Sequence, residues 1–250
     1  MTGLRVVKTG LLATVQDLGR VGYLGHGITA GGALDAFSLR CANRLLGNAD
    51  HLAGIEIALT GLTLKATCNL QLALCGASAT LSINGEEQFM DHALWVSAGS
   101  TITIGRALTG TYSYLAIKGG ISTPQVLGSR STVVREGIGG LNGQALKPGD
   151  FLPITGLDNP ATAQSPARHW QRQLQAKPAA QNDILRLRFL PGLHYDDVSQ
   201  TCRDTLCAQT FPLSGAANRM AAPLIGSPVD TGLTKLWSEP TCLGSIQVPP

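Results

Sequence analysis

Short apolar runs recur through the first half of the chain at about ten-residue spacing, and most are closed by a glycine or an Asn-Gly pair. Runs at 4–9, 55–59, 62–66, 70–74, 80–83, 94–96, 101–104 and 112–117 are each too short for an ordinary helix and long enough for a strand. Regular short strands with turn signals between them are the pattern of an antiparallel sandwich or barrel. Asn84-Gly85 is the strongest hairpin signal, because both central residues of a type I′ turn need positive φ. The runs 55–59 and 62–66, joined by Thr60-Gly61, also read as a tight hairpin. One stretch has helical period instead. Leu34, Phe37, Cys41 and Leu45, with Leu46 beside them, form an apolar stripe from about 35 to 46, with Gly47-Asn48 placed to close the helix.

Glycine supplies 30 of the 250 residues, and charged residues only 14% against a usual ~25%. With 44% hydrophobic residues, this excludes a disordered or solvating chain. The net charge is +3, with no Lys/Arg run longer than two, so nucleic acid is not an expected partner. No stretch approaches the ~18 apolar residues of a spanning helix, and the apolar run at 11–15 is too short for a signal peptide. The expectation is a soluble, cytoplasmic protein with no membrane partner. The six cysteines lack C-x-x-C spacing and read as reduced, packed thiols. There is no P-loop, no G-x-S-x-G and no H-E-x-x-H. The histidines at 26, 51, 92, 169 and 194 lack metal-ligand spacing, so no metal is expected. No methionine precedes a lysine, so covalent biotin is not expected on this chain.

The composition shifts at 156–181, where Pro, Ala and Gln dominate and a short helical turn at 168–173 is the only structure suggested. This divides the chain into a first β-barrel lobe at 1–155, a linker or long loop at 156–181, and a second lobe at 182–250. The second lobe reads as a strand at 184–189, a helix at 196–208, and strand and turn from Thr231 onward.

Several polar groups stand where an apolar pattern would not put them. Gln16, Asp17 and Arg20 follow a strand directly on a glycine-bracketed turn, as a turn-stabilising pair or as ligand-facing groups. Asp35 opens the helix after Gly31-Gly32, a place where exposed N–H groups can meet an anion. Asn43 lies inside the helix and Asn48 after it, the latter equally suited to capping. Glu56 alternates with Ile55 and Ile57, so it is either solvated or a buried carboxylate fit for proton transfer. Lys118 ends a strand before Gly119-Gly120. Ser129, Arg130 and Ser131 make a loop rich in donors, with the planar fork that suits a carboxylate or phosphate.

These residues carry a resemblance. T-V-Q-D-L-G-R (14–20), A-N-R-L-L-G-N (42–48), L-A-I-K-G-G (115–120), G-S-R-S-T (128–132), G-G-x-x-G-x-x-L-x-x-G-D (139–150), N-R-M (218–220) and S-E-P…G-S-I-Q-V-P (238–249) stand in the order seen in one family. The chain resembles the 5-oxoprolinase C-subunit family, also called the KipI antagonist or biotin-dependent carboxyltransferase domain family. It is also similar to half of the carboxyltransferase domain of urea carboxylase (urea amidolyase). The resemblance implies a mostly β, cyclophilin-like barrel in two lobes with a few short helices. It implies two protein partners, the KipI-like B component of 5-oxoprolinase and its A component. The implied reaction converts 5-oxo-L-proline to L-glutamate with consumption of ATP, which a partner would help to hold.

On that reading the catalytic residues are Asp17, Glu56, Lys118 and Arg130. The substrate would be bound by Gln16, Arg20, Asp35, Asn43, Asn48, Ser129, Ser131, Asn218, Arg219 and Gln247. Asp17 or Glu56 would move protons, the cations would hold anionic oxygens, and the amides would orient the substrate. The motifs at 16–17, 43, 56, 118 and 129–130 are expected to converge on one cleft. Two departures stand out. The family runs N-R-M-G-x-R, whereas here Ala221 and Pro223 replace the glycine and the second arginine. The family also continues through D-x-Q-T-x-G-G-Y-P, whereas this chain ends at Pro249-Pro250. That implies a second lobe without its closing strands, an exposed edge near Ile246 and Val248, self-association and little activity. Two other roles fit the same resemblance: a carboxyltransferase module of a biotin-dependent urea-type carboxylase, and a non-enzymatic binder of a KipI-like kinase inhibitor.

Overall fold

The structure is a computed structural model, and it describes residues 2–154, 184–233 and 241–248. The chain divides into two compact units, Met1–Gln175 and Ala176–Pro250. The linker expected at 156–181 lies outside the described residues.

The first unit is built on a curled, nine-stranded antiparallel sheet. Its strands are β1 (Gly3–Thr9), β2 (Leu12–Gln16), β3 (Gly54–Ala58), β4 (Leu62–Ala66), β5 (Leu70–Ile83), β6 (Glu86–Gln88), β7 (Leu94–Val96), β8 (Thr101–Ile117) and β9 (Phe151–Pro153). The order β2-β3-β8-β4-β1-β9 forms one path, and β5 joins it along the other side of β8. The sheet curls because its two long members are irregular. The β5–β8 register shifts between Gly76 and Leu81, and such bulges add local twist. Gly105 keeps these strands close, since a Cβ there would stand 2.1 Å from Thr80 Oγ1.

Two expectations about strands are corrected. The runs 70–74 and 80–83 belong to one strand, β5, and the runs 101–104 and 112–117 to another, β8. The hairpin expected at 55–66 does not form. Both β3 and β4 pair with β8, Ile55 opposite Leu115 and Leu62 opposite Ile104, so they run in the same direction along one neighbour. Thr60-Gly61 is a kink between collinear strands. It is held where Ala107 N–H donates to Leu59 O and Leu59 N–H donates to Thr111 O. The Asn84-Gly85 hairpin is present, with φ of 53° and 86° at its two loop residues and Ile83 opposite Glu86.

The concave core is aliphatic, formed by Leu4, Val15, Ile55, Leu64, Leu72, Ile102, Leu115 and their neighbours. Helix α1 (Ala36–Leu45) covers the opposite face, where Ala42, Leu45 and Leu46 pack on Ala73, Cys75 and Ala116. The buried face is rotated from the expected stripe. Leu39 and Ala42 are inside, while Phe37 is 53% exposed. The small side chains of the sheet at Ala73 and Ala116 admit a small residue, Ala42, at the contact. Helix α1 ends as anticipated, with Gly47 at φ 64° and N–H groups of Gly47 and Asn48 donating to Arg44 O and Asn43 O.

The second unit has little regular structure among its described residues. Helix α2 (Gln200–Ala208) starts later than expected, capped by Ser199 Oγ, which accepts from Cys202 N–H at 3.1 Å. Residues 184–190 form no strand, against the expectation for 184–189, and after Thr231 the described residues form none either. None of the six cysteines is joined in a disulfide, and Cys207 and Cys242 are exposed and not packed. No helix is long and apolar enough to cross a membrane among the described residues.

Candidate functional site

Strand β2 runs out at Gln16, and the next residue anchors a dense polar cluster. Asp17 is buried, and its carboxylate accepts four hydrogen bonds. Oδ1 takes the hydroxyls of Ser129 (2.6 Å) and Ser131 (2.5 Å) and the N–H of Gly19 (2.8 Å), and Oδ2 takes the N–H of Arg130 (2.6 Å). Burial pushes the Asp17 carboxyl up. The two serine hydroxyls and the two backbone donors outweigh it and hold the group below its ordinary value of 3.8. A carboxylate so committed is an anchor and a poor proton carrier at neutral pH.

Arg20 is also inside, 2% exposed. Its guanidinium donates to Ser131 O at 2.6 Å and to Thr29 O at 3.3 Å. Burial lowers its pKa while the charges of Asp17 and Glu136 oppose that shift; the group keeps its charge. Arg20 thus balances Asp17 and ties the 128–132 loop to the 29–30 segment. Gln16 is fully buried and its amide donates to Thr14 Oγ1 and Thr132 O. Gly139 and Gly140 close the cluster from the other side, where Gly140 N–H donates to Arg130 O.

A cleft of about 200 Å³ opens beside this cluster. Leu52 and Ile121 supply apolar wall, and His51, Ser122, Gln125 and Arg130 supply polar groups, with Asp17 at the lining as well. The Arg130 peptide is held at both ends, yet its guanidinium takes part in no hydrogen bond or ion pair among the described residues. The cleft therefore has Arg130 in its lining, its guanidinium uncommitted among the described residues, next to a carboxylate whose charge is met by four donors.

The remaining expected site residues gather elsewhere. Glu56 lies on β3, where Ile55 and Ile57 do face the core, but it is not solvated, because the entry to α1 covers its face. Its Oε2 accepts Leu34 N–H (2.9 Å) and the Tyr114 hydroxyl (2.8 Å), and the Tyr114 oxygen accepts Asp35 N–H (2.7 Å). Burial, and then the Glu56 charge, push the Tyr114 phenol up. The anion at the helix entry is therefore internal. Asp35 itself caps α1, accepting Ser38 N–H at 3.0 Å and the Ser38 hydroxyl.

Asn43 and Asn48 form a closed set: Asn43 donates to Leu52 O (2.8 Å), and Asn48 donates to Asn43 Oδ1 (3.0 Å) and Ile117 O (2.8 Å). Lys118 donates to Leu46 O at 2.6 Å, a cation on the carbonyl end of α1. Of the residues expected to share one cleft, Asp17 and Arg130 line it, while Gln16, Asn43, Glu56, Lys118 and Ser129 do not. In the second unit, Asn218 Oδ1 accepts Met220 N–H (2.8 Å) in a local turn, and Gln247 is exposed.

Four residues of these clusters, His51, Ser122, Gln125 and Tyr114, are absent from the candidates the sequence offers. The histidine has no metal-ligand spacing, and the others have no local signature. Their roles arise only when three separate segments meet. Two expectations follow from these clusters. Glu56→Ala should cost about 3 kcal/mol in chemical denaturation, because it strands two buried donors at roughly 1–3 kcal/mol each. Asp17 has a lowered folded-state pKa, so its stabilising contribution is full above 3.8 and is lost as pH falls below it. The stability difference between wild type and Asp17→Asn should therefore be constant from pH 5 to 7 and shrink below about pH 4. A difference that grows on acidification counts against this assignment.

Residues 26–250 match the model of the carboxyltransferase domain, subdomain A and B. The chain belongs to this family. The C component of 5-oxoprolinase from Escherichia coli is 35% identical, the match spanning 98% of this chain and 76% of that one. The urea amidolyase of Saccharomyces cerevisiae is 39% identical over 155 residues, 61% of this chain and 8% of that one. The crystal structure of TTHA0988 overlays all of this chain at a TM-score of 0.84 and 31% identity, with this chain covering 47% of it. The K. lactis urea amidolyase overlays 90% of this chain at a TM-score of 0.73. This carboxyltransferase domain thus spans about three quarters of the E. coli protein and less than half of the TTHA0988 chain. Its mostly β, curled architecture is that of the solved relatives.

Proposed function

We propose that this carboxyltransferase-domain chain is the C component of an ATP-dependent 5-oxoprolinase. It would work in the cytoplasm with a KipI-like B component and an A component, converting 5-oxo-L-proline to L-glutamate. The observation that carries the reading is the match to the E. coli C component over nearly the whole of this chain. The cleft agrees in chemistry. A five-membered lactam bearing one carboxylate is small, and about 200 Å³ with a single uncommitted guanidinium suits it. Asp17, Ser129, Ser131 and Arg20 then organise the loop, and Arg130 meets the substrate carboxylate.

The small volume of the cleft supports placing ATP elsewhere. Pockets for larger ligands run to roughly 300–1,000 Å³, and one cation is too little for a triphosphate. The nucleotide is assigned to a partner protein or to a surface completed by one. Glu56, Lys118 and Asn43 keep structural roles on this reading. A second reading, a carboxyltransferase module acting with a carried biotin on a urea-like acceptor, is favoured by the 39% identity to the urea amidolyase.

Co-expression with an A and a B component separates the two. Hydrolysis of ATP that depends on 5-oxo-L-proline and on this chain supports the first. Loss of dependence on 5-oxo-L-proline, together with urea-dependent turnover when a biotin carboxylase and its carrier are supplied, overturns it.

A further inference from the structure

We infer that Asp17 is a positioning residue for substrate selection: by gripping the Arg130 peptide and its two flanking serines, it aims the guanidinium that distinguishes a carboxylated lactam from an uncharged one. The inference rests on the reading of the cleft given above and assigns the anionic side chain there a role other than proton transfer.

Arg130 sits between Ser129 and Ser131, and all three are tied to one carboxylate. Asp17 accepts both serine hydroxyls and the Arg130 N–H within 2.5–2.6 Å. The two serines are also tied to the frame: Ser131 N–H donates to Ser129 Oγ, and Asp17 N–H donates to Ser131 Oγ. The Arg130 carbonyl is held from behind by Gly140 N–H at 2.8 Å. The peptide that carries the guanidinium is therefore held by hydrogen bonds at both its N–H and its carbonyl, which restrains the Cα from which the side chain starts. A guanidinium fork discriminates by direction, so its value to a ligand depends on the rigidity of its base.

The charge arrangement points the same way. An aspartate beside an arginine ordinarily consumes it in an ion pair. Here the Asp17 charge is absorbed by four donors and balanced by buried Arg20, and no ion pair joins Asp17 to Arg130 among the described residues. The carboxylate holds the arginine by its backbone and leaves the guanidinium without an ion partner among the described residues. Replacing Asp17 by asparagine keeps the size. The amide oxygen has at most two good lone pairs where the carboxylate serves four donors, and its NH₂ opposes donors on the other side. The 129–131 loop then loosens while Arg130 stays in place chemically.

The test is calorimetric binding to the full chain with its partner proteins, using two probes, 5-oxo-L-proline and 2-pyrrolidone. The second has the same lactam ring and no carboxylate. Wild type is expected to prefer 5-oxo-L-proline by at least tenfold. Arg130→Ala should remove most of that preference and leave 2-pyrrolidone binding within about twofold. Asp17→Asn should cut the preference about tenfold, again sparing 2-pyrrolidone, and should add nothing in the Arg130→Ala background, since coupled residues are not additive. If Asp17→Asn does not fold, the Ser129→Ala/Ser131→Ala pair, which removes two of the four donors, is measured in its place with the same expectation.

Three results overturn the inference. Equal loss for both probes makes Asp17 a general structural residue. A multiplicative effect on top of Arg130→Ala shows it acts apart from Arg130. Tighter binding of 5-oxo-L-proline by Asp17→Asn shows that its negative charge repels the ligand and aims nothing. A preference left intact in Arg130→Ala is a different failure, since it removes the carboxylate-binding reading itself.

Discussion

On the proposed reading, Arg130→Ala is expected to lower 5-oxoproline-dependent turnover of the assembled complex by about 10- to 100-fold. The figure follows from one charge-assisted contact at roughly 1.5–3 kcal/mol, with about 1.4 kcal/mol per factor of ten. The same substitution should leave the chain folded. The Arg130 side chain makes no hydrogen bond or ion pair among the described residues, and the bonds that hold the loop go to its backbone, which alanine retains. Thermal unfolding should move by no more than about 0.5 kcal/mol, as at other sites without buried contacts. Paired measurement of turnover and unfolding decides the matter. A folded, fully active Arg130→Ala complex would remove this side chain from the chemistry, and a large loss of stability would make it structural.

Gly139→Ala should produce the opposite pattern, with a loss of stability of about 3 kcal/mol or more. Gly139 has φ 72°, and a Cβ there would lie 2.0 Å from Ser131 O and 2.8 Å from the Arg20 guanidinium. The obstacle is backbone on one side and a buried, hydrogen-bonded side chain on the other, so neither can step aside cheaply. Left-handed backbone on a non-glycine residue costs about 1–3 kcal/mol before any clash is counted. For a chain of this size that corresponds to a fall of about 6–12 °C in melting temperature. Gly137→Ala is the internal control. Its φ is 66°, but a Cβ meets nothing within 4 Å, so it should cost only about 1 kcal/mol. Equal effects at the two positions would show that the close packing of 139 on the 131 carbonyl carries no weight. Because Ser131 O is also the acceptor for Arg20, the first substitution should disturb the cleft as well.

The contrast between these two glycines shows how far local sequence carries. Both belong to one glycine-rich stretch, and both need positive φ, which the composition suggests. Only the fold tells which of them has another segment against its α-carbon. The same holds for the strands. Alternation along 55–59 and 62–66 is identical for a hairpin and for a kinked strand lying beside a third, since side chains alternate in either case. The choice was made by β8, long enough to pair with both.

Local sequence was enough for the β class, the Asn84-Gly85 turn, the existence and closing cap of α1, and the family to which the chain belongs. Each rests on residues close together in the chain: a period of two, a pair tolerant of positive φ, a Gly after the last helical turn, motifs in fixed order. Asp17, Ser129 and Arg130 also stand out from their surroundings by residue type. What these residues do became legible only in three dimensions. The fold joined Asp17 to a loop more than a hundred positions away, committed Glu56 to Tyr114 and the helix entry, and turned Asn43, Asn48 and Lys118 to the closing of α1. The physical reason is that a buried polar group must find a partner, and its chemistry passes to whatever the fold places within hydrogen-bond reach. Residue type limits the roles that are open, and the neighbour across the chain selects among them.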